Sequence, residues 1–196
     1  MSKVIVFNAV SLDGFHTGVD NDASAIVPML GGVFDEYTAE RLRAAEVFLV
    51  GRESFQMFNH YWPEIAESPD SDRWTDEQRE VTAAGASLPT IVVSDTLEGS
   101  LSDVRIIKRA DAHREIEALR KSAGGDILIT GSRTLWNDLV AHGLVDEIHL
   151  MIGNLVLGEG VPLFGGKPPE SLRLLEVRTW QGSDNVLLRY ALEARG

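Results

Sequence analysis

Two strand-to-helix turns in this chain carry the residue types that hold a phosphate. The run Ile127-Leu128-Ile129-Thr130 is apolar and β-branched, ends at Gly131, and passes at once into a helical stretch through Ser132, Arg133 and Thr134. A strand that ends in small residues and turns straight into a helix aims backbone N–H groups and the positive helix end at an anion. The second turn repeats the pattern: Val47-Phe48-Leu49-Val50 reads as a buried strand, and Gly51-Arg52-Glu53-Ser54-Phe55 follows without a linker. Gly51 lets the backbone approach a ligand, Arg52 offers a planar fork suited to phosphate, and Ser54 places a hydroxyl in the first helical turn. Each turn alone also matches an ordinary glycine turn beside a solvated arginine. Two of them together suit a ligand with separated phosphates, such as a dinucleotide.

Alternating strand and helix patterns, with little linker between them, must position these turns. Val4–Val10 reads as the first strand, 35–45 as a helix with Leu42 inward, 47–50 as the second strand and 53–60 as a short helix. Residues 61–72, rich in proline, serine and acid, form the longest expected loop. A helix over 75–84 has Thr75 and Gln78 at capping-box spacing. Strands are expected at 90–94 and Val104–Ile107, and a helix over 111–121 ends at Gly124-Gly125. From Val145 onward the alternation stops: 145–152, Leu172–Thr179 and Val186–Leu192 are β-rich, with a turn at 181–185. Crossover helices demand a mainly parallel sheet, to which the terminal hairpin adds antiparallel strands at one side. The expected class is α/β: a three-layer αβα arrangement with a mixed, mainly parallel central sheet and a C-terminal antiparallel hairpin, in a single domain over residues 1–196.

A chain of 196 residues with 44% hydrophobic content can bury a full core. Its net charge of -12 argues against nucleic acid or an anionic membrane as the main partner, and leaves a small molecule. A local nest of amides with one arginine still outweighs a diffuse negative surface at a phosphate. The absence of cysteine excludes disulfides and suits a reducing compartment. The N-terminal MSKVIVFNAV is too short and strand-like for a signal peptide, and no apolar run approaches a membrane span, so a cytoplasmic location is expected. The five histidines, His16, His60, His113, His142 and His149, show no paired ligand spacing, so no metal site is expected.

The segments SLDGF (11–15), LVGRESF (49–55), VVSDTL (92–97) and GLVDEIHL (143–150) with LGEGVPLFGG (157–166) resemble the dihydrofolate reductase-like superfamily. Within it they resemble the reductase domain of the bifunctional riboflavin-biosynthesis deaminase-reductase, the RibD C-terminal domain, from Val4 to about Tyr190. The resemblance implies a dihydrofolate reductase-like fold, NADPH as cofactor, hydride transfer to a small pyrimidine- or pteridine-like heterocycle, and a homodimer. It implies that Gly51, Arg52 and Ser54 grip the pyrophosphate and the adenosine 2′-phosphate, and that Ser94, with Thr96 nearby, meets the adenosine end. Gly131, Ser132, Arg133 and Thr134 match the diphosphate loop, and Ala9 the backbone site for the nicotinamide carboxamide. The family commonly has two glycines where this chain has Gly131-Ser132. The expectation is that the second position needs only a small side chain, so that Ser132 adds a hydrogen bond without strain.

For proton delivery the resemblance points to Asp35, at the start of the helix preceding LVGRESF, with Asp13 as the other nearby acid. A partly buried carboxyl can protonate a substrate nitrogen. Asp35 as an ordinary helix-start residue, and Asp13 as a turn-shaping one, are the plainer readings. Phe15, His16, Phe34 and Trp62 are candidates for an apolar or stacking substrate wall. Two further classes stay open: an NADP(H)-binding regulatory or interaction protein without efficient catalysis, and a structural module dimerising through its β-rich end.

Overall fold

The computed structural model describes residues 2–98, 104–166 and 171–193. In chain order the strands are β1 (Val4–Val10), β2 (Phe15–Thr17), β3 (Ala45–Gly51), β4 (Thr90–Val93), β5 (Val104–Ile107), β6 (Asp126–Thr130), β7 (Glu147–Ile152), β8 (Val161–Pro162), β9 (Leu172–Thr179) and β10 (Val186–Leu192). The helices are α1 (Val33–Ala44), α2 (Arg52–Glu67), α3 (Asp76–Ala86), α4 (Arg109–Ser122) and α5 (Arg133–Ala141). Eight strands form one sheet in the order β5-β4-β3-β6-β1-β7-β10-β9, while β2 and β8 pair separately. From β5 to β7 every neighbour is parallel, and β10 then runs antiparallel to both β7 and β9. The mixed sheet and its terminal hairpin match the expected class.

β1 is central and entirely buried, as a parallel strand covered on both faces must be. Its side chains alternate between the two cores. Val4, Val6 and Val10 pack with Ile116 of α4 and Trp136 and Leu139 of α5. Ile5 and Phe7 pack on the other face with Tyr37 and Leu42 of α1, Phe55 of α2 and Val81 of α3. No helix among the described residues is long and apolar enough to cross a membrane.

Several boundaries differ from expectation. The helix α2 does not stop near residue 60 but runs to Glu67, taking in half of the expected 61–72 loop and carrying Pro63 inside it. Phe55, Phe58, Trp62 and Ile65 recur at helical spacing and face the core, and that burial outweighs the proline. α1 begins at Val33, two residues early, and Ala45 already belongs to β3. The capping box at Thr75 and Gln78 is present, with both reciprocal hydrogen bonds formed. Short 3₁₀ turns at Val19–Asn21 and Ala23–Met29, and the β2–β8 pair, carry no periodic signal and were not expected.

Candidate functional site

Because β1, β3, β4 and β6 are parallel, their C-terminal ends lie along one edge of the sheet. Ala9 is the penultimate residue of β1, Gly51 ends β3, Ser94 follows β4, and Gly131 follows β6. The predicted cofactor residues, scattered over more than 120 positions of sequence, are therefore collected on that edge. It is also where ligands enter open α/β sheets.

The two phosphate-type turns are tied to each other. The Gly51 N–H donates to Ser132 Oγ at 2.9 Å, and the Ser132 N–H donates to Ser54 Oγ at 2.8 Å. Gly131 has φ 56, and a Cβ there would lie 2.7 Å from Ser54 Oγ, so only glycine fits. Ser132 corrects the expectation made for it: its backbone is left-handed, φ 49 and ψ 39, so the position does adopt the conformation that glycine favours. The strain costs about 1–2 kcal/mol, and the hydrogen bond that the Ser132 hydroxyl accepts from the Gly51 amide, worth about 1 kcal/mol, offsets part of it. A serine is thereby accommodated in a left-handed conformation.

The helices behind these turns are open to an anion. α3 is closed by its capping box, and the first amide of α4 donates to Asp95 Oδ1 at 3.0 Å. By contrast, α2 and α5, like α1, have no side-chain cap among the described residues. Their first-turn N–H groups are left for a ligand, which is the fit a diphosphate requires. Arg52 is half exposed and held only loosely, 3.7 Å from Glu53. Arg133 leans the other way, its Nε donating to the Pro162 carbonyl at 2.5 Å beneath Gly165. Thr134 is exposed on α5. Ser94 is buried and its hydroxyl accepts from the amides of Thr96 and Leu97 at 3.2 and 2.9 Å, shaping the turn after β4.

At the β1 end, two buried nitrogens, Asn8 Nδ2 and His16 Nδ1, have no partner among the described residues. Burial first, and then the charge of Arg133, hold His16 below the usual histidine range, while the Ala9 carbonyl pulls weakly the other way. A neutral imidazole beside Ala9 and an orphaned amide next to it leave polar capacity for a group such as a carboxamide.

The two candidate acids differ sharply. Asp13 Oδ1 accepts from Ser11 Oγ at 2.7 Å and from the Leu157 amide at 3.1 Å, and Oδ2 accepts from the Gly158 amide at 2.7 Å. The Ser11 bond, then the two amides, hold Asp13 below the usual carboxylate range. It is an ionised staple between the first turn and the 155–160 loop. Asp35 lies in the first turn of α1, half-buried, with no hydrogen-bond partner among the described residues. Burial, helped by the charge of Glu77, pushes it up to about 6. That places it among groups able to exchange a proton at neutral pH.

The expected substrate wall is only partly assembled. Phe34 stacks on Phe7 at 5.1 Å, at the edge of the cluster formed by Ala9, Ile26 and Met29. Trp62 instead stacks on Phe58 and Phe48 and covers Gly85 between α2 and α3, where it is core. Sequence reading missed Asn8, Ile26 and Met29 at this site. Asn8, a polar residue inside an otherwise apolar buried strand, was the available signal.

The fold is of the dihydrofolate reductase type. A solved structure of dihydrofolate reductase from Enterococcus faecalis, complexed with NADP(H), superposes with a TM-score of 0.62 at 12% identity, over 96% of this chain and 95% of that one. A putative riboflavin biosynthesis protein from Shewanella sp. PV-4 superposes with a TM-score of 0.68 at 21% identity, over 99% and 100% of the two chains. The uncharacterized protein YyaP of Bacillus subtilis strain 168 is 30% identical over 181 residues, 91% of this chain and 89% of that protein. The model of the RibD C-terminal domain matches residues 2–188, and the chain belongs to that family.

Proposed function

We propose that residues 1–196 form a single-domain NADPH-dependent reductase that transfers a hydride to a small heterocycle of pyrimidine or pteridine type. The observation that carries this reading is the pair of uncapped helix N-termini, on α2 and α5, locked side by side through Ser54 and Ser132. Gly51, Ser54, Gly131, Ser132, Arg133 and Thr134 would hold the diphosphate, Arg52 the 2′-phosphate, and Ser94 and Thr96 the adenosine end. The backbone of Ala9 would hold the carboxamide. When bound, NADPH supplies the hydride. The chain orients the ring against the acceptor, and Asp35 holds the proton that the acceptor takes up. Asp13 then acts through loop shape, because its oxygens already accept from three donors.

The test is a titration of the protein with NADPH and NADH separately, followed by nucleotide fluorescence. NADPH is expected to bind at least about 10-fold more tightly, since a charge-assisted phosphate contact contributes about 1.5–3 kcal/mol. Arg52→Ala should remove most of that preference and leave NADH binding unchanged. Equal loss for both cofactors would overturn the role given to Arg52, and no binding of either would overturn the reading.

A homodimer is part of the same proposal. β9 is an edge strand, and Leu174 and Val177 on it are 49% and 55% exposed, with Leu172 and Leu175 beside them. An exposed apolar edge strand demands a partner. Val177→Lys is expected to shift the mass seen by light scattering from dimer to monomer, while a wild-type chain that is already monomeric would refute it.

A further inference from the structure

The outer faces of α4 and α5 gather three side chains that no reductase chemistry uses. His113 comes from the first turn and a half of α4, Asp138 from α5, and His142 from the residue that ends α5. Asp138 and His142 are four apart and so share one helical face, and the packing of α4 and α5 on the same side of the sheet brings His113 to them. The His113 Nε2 lies 2.6 Å from Asp138 Oδ2, and the His142 Nδ1 lies 3.5 Å from Asp138 Oδ1. The two imidazole rings are 4.0 Å apart between centroids. One ligand atom from each of the three residues falls within 4.8 Å of the others.

We propose that His113, Asp138 and His142 form a surface binding site for a late first-row transition ion of the Zn²⁺ type, clamping α4 to α5. Four-coordinate zinc at about 2.1 Å from each ligand separates its ligand atoms by roughly 3.4 Å, so these exposed side chains reach that geometry with shifts on the order of 1 Å. The His142 Nδ1 is 2.8 Å from the Asp138 carbonyl, so its ring carries the proton there, and binding moves that proton to Nε2. Two imidazoles with one carboxylate favour Zn²⁺, Co²⁺ or Ni²⁺ over Mg²⁺ and Ca²⁺, which take oxygen sets. All three side chains are 41–50% exposed, so an ion reaches them freely and water completes the coordination. Histidine spacing along the chain gave no sign of this site, because one ligand comes from a different helix. It lies beyond the helix end remote from the phosphate turn of α5, and does not depend on the cofactor reading.

The test is calorimetric titration of the cofactor-free protein with ZnCl₂ or NiCl₂, together with the visible absorption of its Co²⁺ form. One ion per chain is expected. At ten times Kd, ZnCl₂ should raise Tm by about 3–5 °C, and MgCl₂ should not. Loss of a supporting residue around a metal typically weakens binding 10–100-fold, so His113→Ala, His142→Ala and Asp138→Asn should each weaken it by at least about 100-fold. His60→Ala, an exposed histidine on α2, should leave affinity unchanged. Because the three positions are solvent-exposed, the variants keep their circular dichroism and melting profile without metal. Absence of saturable binding, equal binding of Mg²⁺, or retention of wild-type affinity in His113→Ala or His142→Ala would each overturn the proposal.

Discussion

Asp35→Asn should lower kcat/KM by about 10²–10³-fold while leaving NADPH affinity within a factor of two, because it removes a proton donor and touches no phosphate contact. Assayed with dihydropteridine and aminopyrimidine acceptors, the wild-type rate should fall as pH rises through about 6, where the Asp35 carboxyl gives up its proton. The variant should show no such step. Stability should follow the same trend with pH. The raised value means that the folded protein keeps a proton between the ordinary carboxylate pKa of 3.8 and about 6 that the unfolded chain has lost. This contribution is present at low pH and is gone above about pH 6, where the buried carboxylate costs on the order of 1–2 kcal/mol. Asparagine carries no such cost, so at pH 8 Asp35→Asn should melt at a higher temperature than wild type. Loss of activity with gain of stability marks a group held in place for chemistry. A variant that retains activity, or that loses activity and stability together, would move the donor role away from Asp35.

Most of the sheet was legible because its strands are short, β-branched and bounded by glycine, and a buried parallel strand needs nothing subtler. The phosphate turns were legible for a related reason: strand, small residue and helix are adjacent in sequence, so the local pattern contains the geometry. What failed was whatever depends on tertiary contact. The end of α2 was hidden by Pro63, whose cost is local and visible, while the burial of Trp62 and Ile65 that overrides it is not. The conformation of Ser132 could not be read from a lone serine, since Gly51, whose amide its hydroxyl accepts from, lies 81 positions away. Asp13 and Asp35 looked alike as acids near a strand end. They are separated by three hydrogen-bond donors, two of them amides of the 155–160 loop, which only the folded chain supplies.

Glu147→Gln should destabilise the protein by about 3 kcal/mol at pH 7, the largest stability effect expected of any single substitution considered. Glu147 is buried, and burial alone would raise it. Hydrogen bonds from Lys3 at 2.6 Å, from His149 at 2.9 Å and from Arg189 at 3.1 Å outweigh that and hold it down to about 2. The Tyr37 hydroxyl donates to His149 Nδ1 at 2.9 Å, which leaves the proton on Nε2 facing Glu147. Burial first, and then the charge of Arg189, press His149 down to about 4, against the pull of Glu147. Both shifts are downward, so the unfolded chain binds the extra protons and stability rises with pH. As pH falls from 6.5 to about 4 the folded protein loses the advantage of keeping His149 neutral, and from 4.5 to about 2 it loses that of Glu147. Since the two groups share one hydrogen bond, that bond counts once. Urea unfolding at stepped pH should therefore show wild-type stability declining from about pH 6.5 downward. The gap between wild type and Glu147→Gln should stay open to about pH 4.5 and close as pH approaches 2. The network joins Lys3, just before β1, to Glu147 and His149 of β7, Arg189 of the β10 hairpin strand and Tyr37 of α1, with Glu147 and His149 buried at its centre. An unchanged urea midpoint in Glu147→Gln at pH 7 would mean that the hairpin is held by packing of Leu187 and Met151 alone, and that the ion network sets only the register.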